Sequence, residues 1–304
     1  MQRTDWIMEH RRTVLGGLLG GAVLGMATGG RAWAQAPFQS NRVKVETRGE
    51  GPDLILIPGL ASTPAVWHRT IGRLGQGRRL HLVSVRGFGD LPAGDNARGA
   101  LMPGIAAEVQ RYMVESRLTA PAVIGHSMGG QIGLRVAADA PERVGRLMTV
   151  DSSPFFPALI SPGATVGDVE PIAQVAYQVV QFLGSDGLRQ RSRSLGLELG
   201  GAADAVFDSM GWHGGDRRVL AQALYEVLTV DLRHRLPDIS APVTVVYGWS
   251  PDEASPRSRV GELFRGAYAA LPRPAVFERI EGAEHMVMID QPTRFMAAVE
   301  RFLA

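Results

Sequence analysis

The stretch Val123-Ile124-Gly125-His126-Ser127-Met128-Gly129-Gly130 decides how this chain is read: an apolar strand pattern runs through G-x-S-x-G straight into a helix pattern. A serine attacks a carbonyl only when its Oγ stands clear of the backbone, and a sharp turn between strand and helix puts it there. Gly125 and Gly129 give that turn its room, since a side chain at either would meet the neighbouring strand or helix. Upstream, Pro121 and Ala122 open the strand. Downstream, residues 131–138 carry apolar side chains at helical spacing until Pro141. Ser127 is therefore the candidate nucleophile; the bland alternative, a plain Gly-Ser turn, does not account for the strand and helix on either side.

Outward from this stretch, strand patterns fall at 42–47, 53–57, 80–85, 122–124, 146–150, 243–247 and 275–280, and helical patterns at 101–117, 127–140, 257–271 and 291–303. Such alternation predicts an α/β protein, a mostly parallel sheet with helices on both faces. Between Asp151 and Pro242 about 90 residues show helical patterns and no convincing strand, too many for a bare loop. With 304 residues, 45% of them hydrophobic and 20% charged, the chain can bury a large single core. It has no cysteine, which excludes disulfides, thiolate metal sites and a cysteine nucleophile. No H-E-x-x-H or comparable ligand spacing occurs, so no metal is expected.

The first 34 residues read as a targeting segment. Arg11-Arg12 precede 18 uncharged residues, Thr13 to Gly30, and then Arg31 and the small-residue pattern Ala32-Trp33-Ala34. The paired arginines and the seven glycines that weaken the apolar run resemble a twin-arginine export signal cleaved after Ala34, which implies an export machinery as partner and a periplasmic or secreted protein. A retained membrane anchor is the alternative, and the glycines make a poor spanning helix. Removing residues 1–34 takes away four arginines and two acids and leaves 28 side chains of each sign. The mature chain is then near neutral, with no stable membrane span expected. No basic cluster with interleaved aromatics suggests nucleic acid, and Arg189-Gln190-Arg191-Ser192-Arg193 reads as a solvated helix face.

From residue 40 onward the motifs resemble the α/β-hydrolase fold superfamily of serine hydrolases, in the order that family uses. Leu54-Ile55-Leu56-Ile57-Pro58-Gly59-Leu60 resembles the strand and Gly loop that supply half of the oxyanion hole. Leu82-Val83-Ser84-Val85-Arg86-Gly87-Phe88-Gly89-Asp90 resembles the next core strand and its turn. Gly282-Ala283-Glu284-His285, followed by Asp290-Gln291-Pro292 and a last amphipathic helix, resembles the segment with the catalytic histidine. The resemblance implies an eight-stranded-type sheet over 35–304, with a helical lid inserted at about 153–237.

Within that resemblance His285 is the expected base, since a serine hydroxyl must lose its proton as it attacks. His126 is expected against the oxyanion loop, and His68, His81, His213 and His234 on other elements. The acid is ambiguous. After Val243-Thr244-Val245-Val246-Tyr247 the family shows Gly, two variable residues and an aspartate, but here the run is Gly248-Trp249-Ser250-Pro251-Asp252-Glu253, with proline at the expected place. Asp252 is the first choice, with Asp151 and Glu253 as alternatives, because the acid must reach the imidazole nitrogen opposite the one facing serine. Asp90 and Asp290 are expected to be a loop cap and a helix N-cap. The oxyanion hole should be the backbone N–H groups of Leu60 and Met128.

The expected activity is hydrolysis of a small to medium, largely uncharged ester or lactone through an acyl-enzyme on Ser127, with no cofactor. The apolar lid stretches 154–160 and 175–183 favour such a substrate, and Gly200-Gly201 and residues 211–215 read as mobile joints. Cofactor-free perhydrolase or haloperoxidase-like chemistry and carbon-carbon bond hydrolysis use the same triad. A non-catalytic binding protein on this fold is the reading from another class.

Overall fold

Strands of β-branched and leucine residues without polar interruption pack only where both sheet faces are covered, and Leu54, Ile55, Leu56 and Ile57 are all fully buried. Ile55 and Ile57 join one apolar cluster and Leu54 and Leu56 the other, as the period of two along a strand requires. The computed structural model describes residues 37–194, 214–251 and 256–304. The expected export signal lies outside them.

Seven strands form one sheet among the described residues, where the resemblance implied eight. They are β1 (Val43–Arg48), β2 (Asp53–Ile57), β3 (Arg79–Val85), β4 (Ala122–His126), β5 (Arg146–Val150), β6 (Val243–Trp249) and β7 (Val276–Glu281), in the order β1-β3-β2-β4-β5-β6-β7. Only β1 runs antiparallel to its neighbour. The helices are α1 (His68–Leu74), α2 (Met102–Glu115), α3 (Met128–Asp139), α4 (Val166–Ser194), α5 (Arg217–Thr229), α6 (Arg257–Ala267), α7 (Val287–Asp290) and α8 (Pro292–Leu303). Side chains of α2, α3, α5 and α6 pack on one face and those of α8, with Trp67, on the other.

Among the described residues between β5 and β6 lie α4 and α5, which pack on each other, and no strand. Two links fasten α5 to the body. Glu226, buried on α5, accepts from the N–H groups of Leu101 and Met102 at 2.6 and 2.7 Å, so a carboxylate from the helical insertion caps the N-terminus of α2. Gly214-Gly215, expected to be part of a mobile joint, form a β-bridge to Phe88, with Gly89 N–H donating to Gly214 O and Asp216 N–H to Gly87 O. A side chain on Gly215 would collide with the Gly87 carbonyl, so the glycine here permits a close approach rather than motion. Gly200-Gly201 and residues 211–213 lie outside the described residues. Of the apolar residues expected in a lid, Phe155 and Val180 are buried, whereas Val175 and Phe182 face solvent.

Candidate active site

Ser127 stands between the last residue of β4 and the first of α3 with φ 52° and ψ −120°, a backbone conformation an L-residue keeps only when its surroundings enforce it. The flanking glycines explain how. A Cβ on Gly125 would strike the carbonyl of Gly129, and one on Gly129 would strike the carbonyls of Ile57 and Pro58, so strand, helix and oxyanion loop close to backbone contact around the serine. Ser127 N–H donates to Val150 O at 2.9 Å, and its own carbonyl accepts from Gly130 N–H at 2.8 Å as α3 begins.

His285 follows β7, where its segment's resemblance put it, and its Nδ1 lies 2.7 Å from Asp151 Oδ2. A carboxylate only accepts, so Nδ1 carries the proton and Nε2 is left with a lone pair. That Nε2 is buried and bonds to none of the described residues. Asp151 Oδ1 accepts from Gly248 N–H at 3.2 Å, and Asp151 N–H donates to Val246 O at 2.7 Å.

The carboxylate on the imidazole is thus the one at the tip of β5. Asp252, ranked first from the loop spacing, and Glu253 both lie outside the described residues, and the single Nδ1 proton of His285 is already taken by Asp151. The physical reason lies across the sheet: β5 stops at Val150, paired with Val246, so Asp151 follows at the strand tip, where its carboxylate meets both Gly248 N–H and the His285 ring. No spacing rule along one strand reveals that.

His126 is the second histidine of the site. Its ring lies 4.7 Å from that of His285, centroid to centroid, and its Nε2 donates to the His285 carbonyl at 2.9 Å. Because a carbonyl cannot donate, the Nε2 proton is fixed and Nδ1 is bare. Burial, reinforced by the nearby His285, pushes the His126 imidazolium well below the ordinary histidine range, so the ring stays neutral. Gly59 packs against this ring and against Ser127 Cβ, which brings the Pro58-Gly59-Leu60 loop beside the serine. Met128 is the first residue of α3, so its N–H has no intrahelical acceptor and Leu60 lies in the adjoining loop, the placement an oxyanion site needs.

Asp290, expected as a helix cap, instead accepts from Glu284 N–H at 3.0 Å and holds the loop one residue before His285. Its carboxyl is pushed up by burial. His81, buried on β3, and Asp53 of β2 form a separate cluster with Tyr112 of α2 and the partly exposed Arg79 of β3, and His68 opens α1. Among the described residues no group of three or more histidines, aspartates and glutamates is placed to hold a metal, and no helix is long and apolar enough to cross a membrane.

Comparison with known proteins agrees with this architecture. Pimeloyl-[acyl-carrier protein] methyl ester esterase of Aeromonas hydrophila subsp. hydrophila is 31% identical over 272 residues, covering 86% of this chain and 99% of that protein. An esterase from Exiguobacterium antarcticum superposes with a TM-score of 0.65 at 20% identity, over 86% of this chain and 96% of the other. The enol-lactonase from Burkholderia xenovorans LB400 does so with a TM-score of 0.61 at 18% identity, over 86% and 96%. Residues 54–299 match the model of the alpha/beta hydrolase family, and the chain is a member of that family.

Proposed function

We propose that this chain is a carboxylic ester hydrolase that works through an acyl-enzyme on Ser127. The observation that carries the reading is the Asp151–His285 hydrogen bond set beside a serine held at φ 52° on the elbow. Asp151 fixes the Nδ1–H tautomer, so Nε2 can take the Ser127 proton as Oγ adds to the ester carbonyl. Negative charge on the carbonyl oxygen is met by the N–H groups of Leu60 and Met128. The tetrahedral adduct collapses as His285 returns its proton to the departing alkoxide, which leaves as the alcohol. Water then repeats the sequence: His285 takes its proton, hydroxide adds to the acyl carbonyl, and Ser127 leaves reprotonated with the acid released. No step calls on a cofactor or metal.

The substrate we assign is a small to medium, largely uncharged ester or lactone. The relatives named as methyl ester esterases, and the esterase and lactonase among the structural neighbours, support that range. The helical insertion 153–237 serves as the lid over the site. For residues 1–34 we propose a twin-arginine signal, giving an exported protein that begins at Gln35.

A fluorophosphonate probe and a chain-length series of nitrophenyl esters test the reading. The wild type labels and turns over esters, with a preference that reports the depth of the acyl pocket, while Ser127→Ala does neither and folds as before. Labelling or turnover retained in Ser127→Ala would remove the nucleophile; a folded wild type inert to both would favour a binding protein.

A further inference from the structure

We infer that Ser152 is a positioning residue whose hydroxyl ties the nucleophile's carbonyl to the turn that carries the acid, so that Ser127 and Asp151 are held as one unit. The inference rests on the serine-hydrolase reading above. It begins with a glycine that the elbow leaves unexplained. G-x-S-x-G uses Gly125 and Gly129, yet Gly130 follows. A Cβ on Gly130 would land on Cβ and Oγ of Ser152, so the third glycine is where the chain makes room for that serine.

Ser152 is fully buried and its Oγ donates to Ser127 O at 2.7 Å. It follows Asp151, which has φ 44°, so a strained nucleophile and a strained acid sit at the two ends of this one link. Ser152 is itself held. Tyr268 OH donates to Ser152 O at 2.8 Å, and because the phenol has a single proton, the Thr149 hydroxyl 2.9 Å away donates to Tyr268. Burial pushes the Tyr268 phenol up, which keeps it protonated and a donor. A run of three hydroxyls therefore leads from β5 through the C-terminal end of α6 to the elbow. Ser127 O also accepts from Gly130 and Gln131 N–H, the first bonds of α3, so loss of the Ser152 hydroxyl leaves the helix intact while freeing the elbow from the acid's turn.

Ser152→Ala, Tyr268→Phe and the double variant test this with nitrophenyl acetate turnover, fluorophosphonate labelling rate and thermal unfolding. For Ser152→Ala, kcat and labelling rate should fall about tenfold with KM within about twofold, the loss of one hydrogen bond at the reacting geometry. The thermal midpoint should move little. The acidic limb of the kcat/KM pH profile should stay in place, because the Asp151–His285 bond is untouched. Tyr268→Phe should lower kcat less, and the double variant should be no slower than Ser152→Ala, since both act through one link. Unchanged kcat in Ser152→Ala overturns the inference, as does a loss in which kcat, KM and thermal midpoint change together. Should Ser152→Ala not fold, Tyr268→Phe decides alone, a wild-type kcat overturning the inference. With Ser127→Ala inactive these outcomes concern only the brace; an active Ser127→Ala would remove the serine-hydrolase reading itself.

Discussion

Asp151→Asn is the sharpest perturbation because both oxygens of this carboxylate receive a proton donor. Oδ2 faces His285 Nδ1 at 2.7 Å and Oδ1 faces Gly248 N–H at 3.2 Å. An asparagine has one acceptor oxygen and one NH2 group, so one of the two must meet nitrogen. The Gly248 N–H belongs to the backbone and cannot change, whereas the imidazole can shift its proton from Nδ1 to Nε2. The amide oxygen therefore turns to Gly248, its NH2 donates to Nδ1, and Nε2 becomes N–H, unable to accept the serine proton. A triad locked in that tautomer loses about 10^3 to 10^4 in kcat, equivalent to about 4–5.5 kcal/mol of transition-state stabilisation. Stability should hardly change, since the substitution is isosteric. Steady-state hydrolysis of nitrophenyl esters by Asp151→Asn and Asp252→Asn, with thermal midpoints alongside, decides the matter; we expect Asp252→Asn to stay within about threefold of wild type, because the Nδ1 proton of His285 is already held by Asp151. If Asp252→Asn is crippled and Asp151→Asn is mild, the tautomer argument fails and the acid belongs to the later loop.

The neutral, buried His126 makes acid weaken the fold. Its folded pKa lies below that of the unfolded chain, so below about pH 6.5 the unfolded state binds the extra proton and stability falls with pH, by at most about 1.4 kcal/mol per unit for this one group. His81, also pushed down by burial, acts with the same sign; urea unfolding between pH 7 and 5 should show a shallower fall in His126→Gln, and an identical slope would count against it. Glu226→Ala should cost about 3 kcal/mol through two bonds lost at the N-terminus of α2, lowering the thermal midpoint by about 6–10 °C, whereas Glu226→Gln, keeping one acceptor, should lose about half of that. Changing Arg11-Arg12 to Lys-Lys should leave the precursor uncleaved in the cytoplasm, because a twin-arginine receptor reads the pair itself; unimpaired export on fractionation would remove that signal type.

Elements whose signal is local were legible in the sequence. β2 and β5 begin and end at the expected residues because their flanks are turn residues and their interiors unbroken apolar runs. The Ser127 elbow carries its own glycines. What stayed open or hidden was set across the sheet. Asp151, one of the three acids left open, faces His285 because β5 stops at Val150 beside Val246, three residues before β6 ends, and Ser152 meets Gly130 because the β4 and β5 tips adjoin. The Gly214-Gly215 pair suggested freedom by composition, yet its glycines serve a close backbone approach to Gly87, a contact 128 positions away in the case of Gly215. Short α1, seven residues without a cap, offered too little periodicity to be read.

Seating the carboxylate on the β5 tip has a consequence for how such a protein can change. The segment that follows β6 is then released from the demand of holding an acid within hydrogen-bond reach of a ring, so its sequence need not keep a carboxylate. The same latitude is open to an engineer, who can graft new sequence after Trp249 while the charge that orients His285 stays anchored at the tip of β5.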